Sequence, residues 1–374
     1  MKSLLIFGRY HSKENLVGSE KLVKRYFENW PRSEYEVIFI DFFFGYKLSI
    51  LADKLFGREN LQKGKNAVFV RLGLVRIIQL ILNKKPKSIL VTGLEGYATA
   101  AIFAKLFVEV NIFYLVNGLY RFELKESMWG KDRWFFKLKN KILESLLIHK
   151  ADKLIVMSDS VKQQLSDIYK IKLTKVLLHK LGVDEVFFSL PLKNKISKEF
   201  QIIYTGGHGR ELKGFSFLIE VLNELRFPVQ LSICGPVESV ANFEDDCAKF
   251  GSHISYKYLG FLNAYQLAEA YNDQNLFILP SKYETFSIAT LEAMAAGLTV
   301  IVSQSAGASR FVVNGENGIL FEFGDNKKLA AILKDLHQNA MELSPIRVKA
   351  RYSMEEFRWK NVTSELLDSL RGNK

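Results

Sequence analysis

The feature that most restricts the fold of this chain is the stretch LFILPSKYETFSIATLEAMAAGLTVIV, residues 276–302. Residues 276–279 form a short apolar run, which is typical of a fully buried parallel strand. A polar loop follows, and apolar side chains at helical spacing predict a helix that begins near Phe286 or Ser287. Residues 299–302 predict the next strand. A strand, a helix and a second strand in this order indicate an α/β fold with a parallel sheet.

Two carboxylates lie within this unit, Glu284 in the loop and Glu292 on the predicted helix. A strand that leads directly into a helix presents free backbone N–H groups, which bind anions such as phosphate. A carboxylate at that place would repel phosphate, but it could accept hydrogen bonds from sugar hydroxyls. The alternative is that Glu284 complements the helix dipole and that Glu292 is a solvated surface residue.

The rest of the chain repeats this alternation of strands and helices. Before residue 190, the pattern predicts strands at residues 3–7, 35–44, 88–92, 111–116, 154–157 and 176–178, and helices at 18–30, 67–82 and 93–107. After residue 199, it predicts strands at 200–205, 229–234, 253–258, 276–279, 299–302 and 318–321. Because 374 residues exceed one typical core, we predict two doubly wound parallel-sheet domains, residues 1–188 and 200–352, joined by a polar linker at 189–199.

A glycine-rich loop follows the first strand of the second domain and has the sequence GGHGRELKG, residues 206–214. Glycines with cations between a strand and a helix form a cradle for a diphosphate. Gly207, His208, Arg210 and Lys213 are therefore candidate binding residues. The alternative for His208 is a loop histidine without a partner.

The stretch from Glu284 to Glu292 resembles the E-x7-E motif of retaining GT-B glycosyltransferases, specifically glycosyltransferase family 4. The resemblance implies that Glu284 lies by the donor sugar and that Glu292 binds the ribose of the nucleotide. It also implies that the backbone at Phe286, Ser287 and Ile288 faces the donor. This sequence departs from the family at Ser287, where the family often has Gly.

The same resemblance extends to the glycine-rich loop. It implies that Lys213 binds the donor diphosphate, with His208 in the place of a family arginine. Arg210 is expected to substitute for that arginine. The resemblance further implies that Gly235 contacts the nucleotide and that Phe261 walls the base pocket, the alternative for Phe261 being a core position.

The first half of the chain matches the family less closely. Gly18 stands at the second glycine of a phosphate-contacting pair, or it simply begins a helix. Asn117 stands where the family commonly has a histidine near the reacting sugar; it can hydrogen-bond a sugar hydroxyl but cannot titrate, and the alternative is a turn Asn-Gly. In the GT-B fold that the resemblance implies, the two Rossmann-like domains face a central cleft. The final helix, within residues 353–374, crosses back to the first domain.

The positive charge of the chain lies in its first half. Residues 1–190 hold 32 basic and 19 acidic side chains, whereas the remainder holds 20 basic and 21 acidic ones. Such asymmetry indicates an anionic surface as a partner of the first half. Residues 128–150 combine cations with tryptophan and phenylalanine, as helices at membrane interfaces do. The alternative is a surface helix whose Leu143, Leu146 and Leu147 face the core.

The resemblance implies a retaining glycosyltransferase that uses a nucleotide-diphosphate sugar. Because the sequence has no Asp-x-Asp or His cluster placed to hold a metal, we expect it to need neither a metal nor a cofactor. Lys213 and Arg210 would stabilise the leaving diphosphate. The expected acceptor is a saccharide or a lipid-linked saccharide of bacterial lipopolysaccharide, O-antigen or capsule synthesis. Two cysteines and the lack of a long apolar run favour a cytoplasmic protein, bound peripherally to the inner face of the membrane.

Three other functions are compatible with parts of the sequence. A catalytically silent GT-B subunit that binds sugars or a partner enzyme is supported by Asn117, His208 and Val17. A nucleic-acid-binding protein is supported by charge alone, and no recognisable module favours it. An epimerase or a phosphorylase of the same fold is the third.

Overall fold

The chain folds into two compact units. Unit 1 comprises residues 1–182 and 359–374, and unit 2 comprises residues 183–358. The structure is a computed structural model. It describes residues 2–9, 19–42, 57–94, 96–119, 134–192, 200–209, 211–339 and 343–372.

Within the described residues, unit 1 is built on a sheet of eight strands with the order β3-β4-β2-β1-β5-β6-β7-β8, in which only the pair β3–β4 is antiparallel. The strands are β1 (Ser3–Phe7), β2 (Glu36–Phe42), β3 (Arg58–Lys63), β4 (Val68–Leu72), β5 (Ser88–Val91), β6 (Asn111–Val116), β7 (Lys153–Val156) and β8 (Val176–Leu178). The helices before residue 182 are α1 (Ser19–Glu28), α2 (Leu74–Lys84), α3 (Gly96–Ala104), α4 (Trp134–Lys150) and α5 (Asp159–Tyr169).

The prediction of a single helix over residues 67–82 is wrong for its first part. Val68–Leu72 forms strand β4, which pairs in parallel with β2. Val68 and Val70 are β-branched and favour a strand, and Gly73 separates this strand from α2. The neighbouring strand β3 was not predicted because its sequence, RENLQK, is polar and mostly exposed, as suits an edge strand.

Unit 2 is built on a parallel sheet of six strands with the order β11-β10-β9-β12-β13-β14. Its strands are β9 (Phe200–Tyr204), β10 (Val229–Cys234), β11 (Ile254–Gly260), β12 (Leu276–Leu279), β13 (Thr299–Ser303) and β14 (Ile319–Phe321). Its helices are α6 (Glu185–Phe188), α7 (Phe215–Asn223), α8 (Val240–Cys247), α9 (Ala264–Asn272), α10 (Ile288–Ala295), α11 (Asn326–Gln338) and α12 (Leu343–Ser353). Two doubly wound α/β domains were predicted, and the structure confirms this fold class.

The last helix, α13 (Trp359–Arg371), belongs to unit 1, as the resemblance implied. The Trp359 ring meets the ring of Tyr26 edge-on at a centroid distance of 5.5 Å. Ser88 Oγ donates a hydrogen bond of 2.7 Å to the carbonyl of Leu370, so the helix lies at the start of β5. The inner face of α13 is buried. Unit 1 therefore combines residues 1–182 with residues 359–374, two segments that are distant in sequence.

Helix α4 presents leucines to both of its sides. Leu147 is fully buried and Leu143 packs partly against the core, whereas Leu146 is 46% exposed. The alternative interpretation that all three leucines face the core is therefore wrong for Leu146. The aromatic residues Trp129, Trp134, Phe135 and Phe136 fall outside the side chains that the structure describes. Within the described residues, no helix is both long and apolar enough to cross a membrane.

Candidate functional site

The candidate site lies at the carboxyl edge of the sheet of unit 2. From β9, the chain builds the sheet outward through β10 and β11, and it then returns to place β12 on the other side of β9. The loops that follow β9 and β12 thus leave the sheet side by side where the strand order reverses. Ligands of open α/β sheets bind at such a switch point.

An ion pair connects these two loops. The Nζ atom of Lys213, at the end of the loop after β9, contacts Oε2 of Glu284, in the loop after β12. The two side chains are 24% and 16% exposed, so both groups are partly shielded but still open to solvent. Two predicted site residues are therefore brought together, and they present opposite charges at the switch point.

The backbone around this pair is tightly fixed. The amide of Lys282 donates to the carbonyl of Leu212 at 2.9 Å, and the amide of Gly307 donates to the carbonyl of Glu284 at 2.8 Å. Gly214 has a φ of 73°, and a Cβ atom there would overlap the carbonyl oxygen of Pro280. A glycine is therefore required where the two loops cross.

Two helices begin at the same edge. Gly214 precedes α7 and Ser287 precedes α10. Ser287 has a left-handed backbone with φ 70°, and its hydroxyl lies 3.0 Å from that of Thr290. The first amides of a helix lack partners within the helix and form an anion site. Ile288, the first residue of α10, contributes one of these amides.

The side chain of Glu292 is 4% exposed, so the interpretation of it as a solvated surface residue is wrong. It lies on α10, the helix that Tyr271 contacts through a hydrogen bond of 3.3 Å to the carbonyl of Ala289. Burial, and to a smaller extent the charge of Glu292, raises the pKa of Tyr271 well above its ordinary value. The side chain of Phe286 is also buried, with an exposed fraction of 4%.

The glycines of the predicted cradle pack against each other. Gly207 has φ 67° and donates to the carbonyl of Cys234 at 2.9 Å. Gly235 has φ 117°, and a Cβ atom there would lie 2.8 Å from the amide nitrogen of Gly207. The loops after β9 and β10 approach so closely that only glycine fits at both positions.

His208 is a buried residue of this cradle, and the alternative of a loop histidine without a partner is wrong. Its Nε2 atom lies 2.9 Å from Oδ2 of Asp246, and its ring packs edge-on against Phe215 and Phe243. Burial raises the pKa of Asp246, but hydrogen bonds from Lys249 and His208 outweigh it and hold the pKa below the usual range. The other ring nitrogen of His208 finds no hydrogen-bond partner among the described residues.

Phe261 is 40% exposed at the end of β11, so a core position is excluded for it. The adjacent amide of Gly235 donates to the carbonyl of Gly260 at 2.9 Å, and the hydroxyl of Tyr258 donates to the carbonyl of Gly235 at 2.9 Å. Phe261 therefore follows the strand whose end contacts the glycine cradle.

Asn117 occupies the corresponding edge of unit 1, after β6. Its amide group donates to the carbonyl of Thr92 at 3.1 Å, and the Thr92 hydroxyl donates to the carbonyl of Phe7 at 2.8 Å. The side-chain carbonyl oxygen of Asn117 is buried and finds no partner among the described residues. An unsatisfied buried oxygen of this kind costs stability unless a donor reaches it. Gly18 and Arg210 lie outside the described residues.

Two arginines that the sequence analysis did not select hold the far end of α10. Arg347 donates to the carbonyl of Gly297 at 2.6 Å, and Arg351 donates to the carbonyls of Ala295 and Ala296 at 2.8 and 2.9 Å. Burial lowers the pKa of both guanidinium groups below its usual range. Their four-residue spacing on α12 puts both on one helix face. The four-residue spacing is visible in the sequence, but it does not show which carbonyl groups the two arginines would bind.

No group of three or more metal-ligating side chains (His, Cys, Asp or Glu) is found among the described residues.

Residues 189–353 match the family model described as glycosyl transferases group 1. One curated relative is an uncharacterized glycosyltransferase of Methanocaldococcus jannaschii, 29% identical over 190 residues. That alignment covers 47% of this chain and 48% of the relative. The chain thus spans about half the length of the curated relatives it matches.

Two solved structures share the fold of the whole chain. Sucrose-phosphate synthase of Thermosynechococcus elongatus superimposes with a TM-score of 0.76 at 15% identity, covering 100% of this chain and 99% of that one. Anabaena HepE, crystallised in complex with UDP and glucose, gives a TM-score of 0.71 at 14% identity, covering 99% and 100%. The fold of this chain is the GT-B fold of these proteins.

Proposed function

We propose that this chain, which carries a glycosyl transferases group 1 domain over residues 189–353, transfers a sugar from a nucleotide-diphosphate sugar to an acceptor hydroxyl. The observation that carries the proposal is the Lys213–Glu284 pair at the switch point of unit 2. One cation and one carboxylate side by side match a ligand in which a diphosphate is joined to a sugar. The UDP and glucose bound by HepE support the same donor class.

The reaction breaks the bond between the anomeric carbon of the sugar and the diphosphate. It forms a bond from that carbon to the acceptor oxygen, and the hydroxyl proton leaves with the diphosphate. Negative charge therefore develops on the diphosphate, where Lys213 and the amides at the start of α7 and α10 stabilise it. Arg210 is proposed for the same task.

The remaining residues orient the donor. Glu284 accepts hydrogen bonds from sugar hydroxyls, and the buried carboxylate of Glu292 accepts those of the ribose. The backbone of Gly207 and Gly235 approaches the nucleotide, and Phe261 forms a wall of the pocket for its nucleobase. Asn117 hydrogen-bonds a sugar hydroxyl through its unsatisfied oxygen, and it does no acid–base work because an amide does not titrate.

The finer assignments are proposals of the same kind. The chain is proposed to be a retaining enzyme of family 4, to need no metal, and to act on a saccharide or lipid-linked acceptor in bacterial lipopolysaccharide, O-antigen or capsule synthesis. Its place is proposed to be the inner face of the cell membrane, where the positive charge of residues 1–190 favours contact with anionic lipid.

The first test is thermal stabilisation by UDP-, GDP-, dTDP- and ADP-linked sugars, in the presence of EDTA. A donor at 100 times its dissociation constant adds about 2.7 kcal/mol to the free energy of unfolding. We expect this stabilisation with one nucleotide class, its loss in Glu292→Ala, and its retention in Glu269→Ala, a matched control at an exposed position of α9. The absence of stabilisation by every donor would contradict the proposed function.

A second test separates an enzyme from a silent sugar-binding subunit. The stabilising donor is incubated with the protein and a panel of saccharide acceptors, and nuclear magnetic resonance follows the release of nucleoside diphosphate and the anomeric configuration of the product. An enzyme of the proposed type releases diphosphate in EDTA and keeps the configuration. Donor binding without any turnover would favour the silent subunit, and activity that disappears with EDTA would contradict metal independence.

A further inference from the structure

The exposed apolar side chains of unit 1 are concentrated in one region. Within its described residues, eight large hydrophobic side chains are exposed, and six of them lie on α3 with the turn after it and on α4. These six are Phe103 (45% exposed), Leu106 (75%), Phe107 (60%), Leu138 (46%), Ile142 (52%) and Leu146 (46%). We call them the α3–α4 apolar surface.

The three members on α4 form one stripe. Leu138, Ile142 and Leu146 are spaced by four residues, which places them above one another on a single helix face. The opposite side of α4 already serves the core through Leu147 and Ile148, both 0% exposed. The outward stripe is therefore not required to bury the helix against its own sheet.

The other three members lie on α3 and the turn after it. Helices α3 and α4 pack against each other, and Lys105 Nζ donates to the carbonyl of Lys150 at 3.2 Å. The turn that carries Leu106 thus lies beside the end of α4, one helical turn beyond Leu146. The rings of Phe103 and Phe107 lie 5.1 Å apart, which joins the α3 side into one aromatic edge.

The exposed charges of α4 are of one sign. Among the described side chains of α4, the exposed ionisable groups are Lys139, Lys141, His149 and Lys150. The one carboxylate, Glu144, is fully buried and accepts a hydrogen bond of 2.5 Å from the hydroxyl of Tyr169. A helix that exposes apolar side chains between lysines suits an anionic bilayer, because the apolar groups enter the interface and the cations meet lipid headgroups.

We propose that the α3–α4 apolar surface docks on an anionic lipid bilayer. The proposal rests on the membrane location given in the proposed function and names the surface that makes the contact. It does not depend on the transfer reaction, because it concerns unit 1 and not the donor site. The interface predicted from the sequence covered residues 128–150. The proposed surface keeps the α4 part of that range, and it takes its apolar contacts from the α4 stripe and from α3 with the turn after it.

The test is flotation of the full chain with vesicles of phosphatidylcholine alone and with vesicles that contain phosphatidylglycerol. We expect binding to the anionic vesicles at low salt, weaker binding as salt screens the lysines, and none to phosphatidylcholine. The double variant Ile142→Ser/Leu146→Ser lowers the bound fraction about tenfold, since it removes buried apolar area from the interface. Lys139→Gln/Lys141→Gln lowers it as well, and most strongly at low salt.

The matched control is Leu173→Ser, which changes a leucine of unit 1 that is 43% exposed but lies outside this surface. It is expected to bind vesicles like the unchanged chain. Donor stabilisation measured on each variant shows that unit 2 still binds its ligand, so a failure of membrane binding is distinct from a failure of donor binding and transfer. Absence of binding to anionic vesicles, or equal loss in the control, would overturn the proposal. Self-association that the double variant abolishes would show a second copy of the chain on this surface instead.

Discussion

The ammonium group of Lys213 is paired with the carboxylate of Glu284, although 71 positions separate the two residues in the sequence. In the free protein the cation is thus already neutralised by a group that belongs to the same site. Under the proposed function, a donor diphosphate takes over the cation from Glu284, and Glu284 becomes available to the sugar. The pair keeps a partly buried lysine satisfied until the ligand arrives.

The pair can be dissected by substitution of each partner. Lys213→Met is expected to lower kcat by about 100- to 1000-fold, the usual effect of removing one group that stabilises transition-state charge. Glu284→Gln is expected to bind free nucleoside diphosphate more tightly, because the cation is released, and yet to transfer sugar more slowly. Calorimetry and steady-state kinetics measure the two effects. Lys282→Met, at an exposed position of the same loop, is the control, and weaker diphosphate binding by Glu284→Gln would contradict this interpretation.

A second prediction concerns the crossing of the two site loops. Gly214→Ala forces a Cβ atom into the carbonyl of Pro280, whereas Gly315→Ala meets nothing within 4 Å at a similar φ of 79°. Both variants carry the left-handed backbone penalty of about 1–2 kcal/mol. Only Gly214→Ala is expected to lose donor stabilisation as well, and thermal unfolding with and without donor measures both quantities. Equal behaviour of the two variants would show that the loop crossing does not position the site.

A third prediction concerns the arginines behind α10. Arg351→Met removes the hydrogen bonds to Ala295 and Ala296 and a further one of 2.6 Å to the carbonyl of Leu190. Charged hydrogen bonds are each worth about 1.5–3 kcal/mol, so we expect a large fall in the thermal midpoint. Lys349→Met, which breaks only an exposed ion pair at 3.6 Å, is expected to change it little.

The donor affinity of these two variants carries further information. If Arg351 positions α10, the affinity of Arg351→Met falls at temperatures where the protein is still folded. A variant that is destabilised but binds donor normally would limit Arg351 to a structural role.

A fourth prediction concerns acid stability. The pKa of Asp246 is lowered in the folded protein, so its ionised form stabilises the fold above the unfolded-state pKa of about 3.9. That stabilisation is lost as the pH falls through the folded-state value. The thermal midpoint of Asp246→Asn is therefore expected below that of the unchanged chain at neutral pH, with the gap closing below about pH 4. Asp245→Asn, at an exposed position, is the control, and a gap that is constant with pH would contradict the prediction.

Secondary structure could be predicted reliably from the sequence where all residues of an element share the same degree of burial. The strand at 276–279 is buried on both faces and has no polar residue, so its pattern was unambiguous. Residues 67–82 were misread because an apolar stretch continued from a strand into a helix across Gly73. The spacing of apolar residues indicates which residues are buried. It does not show where a strand ends and a helix begins when the two consecutive elements, here β4 and α2, are both half-buried.

The sequence selected Lys213, Glu284 and Glu292 as candidate site residues, but it did not predict their pairings or their burial. The spacing of Glu284 and Glu292 is local, and it was enough to select both. The burial of Glu292, the ion pair of Lys213 and the aspartate behind His208 arise from contacts over tens of residues. Propensity carries no information on such contacts, and for the same reason Arg351 was not selected.

The placement of helix α13 in unit 1 has a consequence for the synthesis of the protein on the ribosome. The pocket that receives Trp359, beside Tyr26 and Gly182, is made early, but its occupant is translated only after all of unit 2. The nascent unit 1 thus exposes this groove while unit 2 can already complete its own sheet. A chaperone that recognises exposed aromatic surface could bind the groove during that interval. The groove is filled once residue 359 and the rest of α13 leave the exit tunnel.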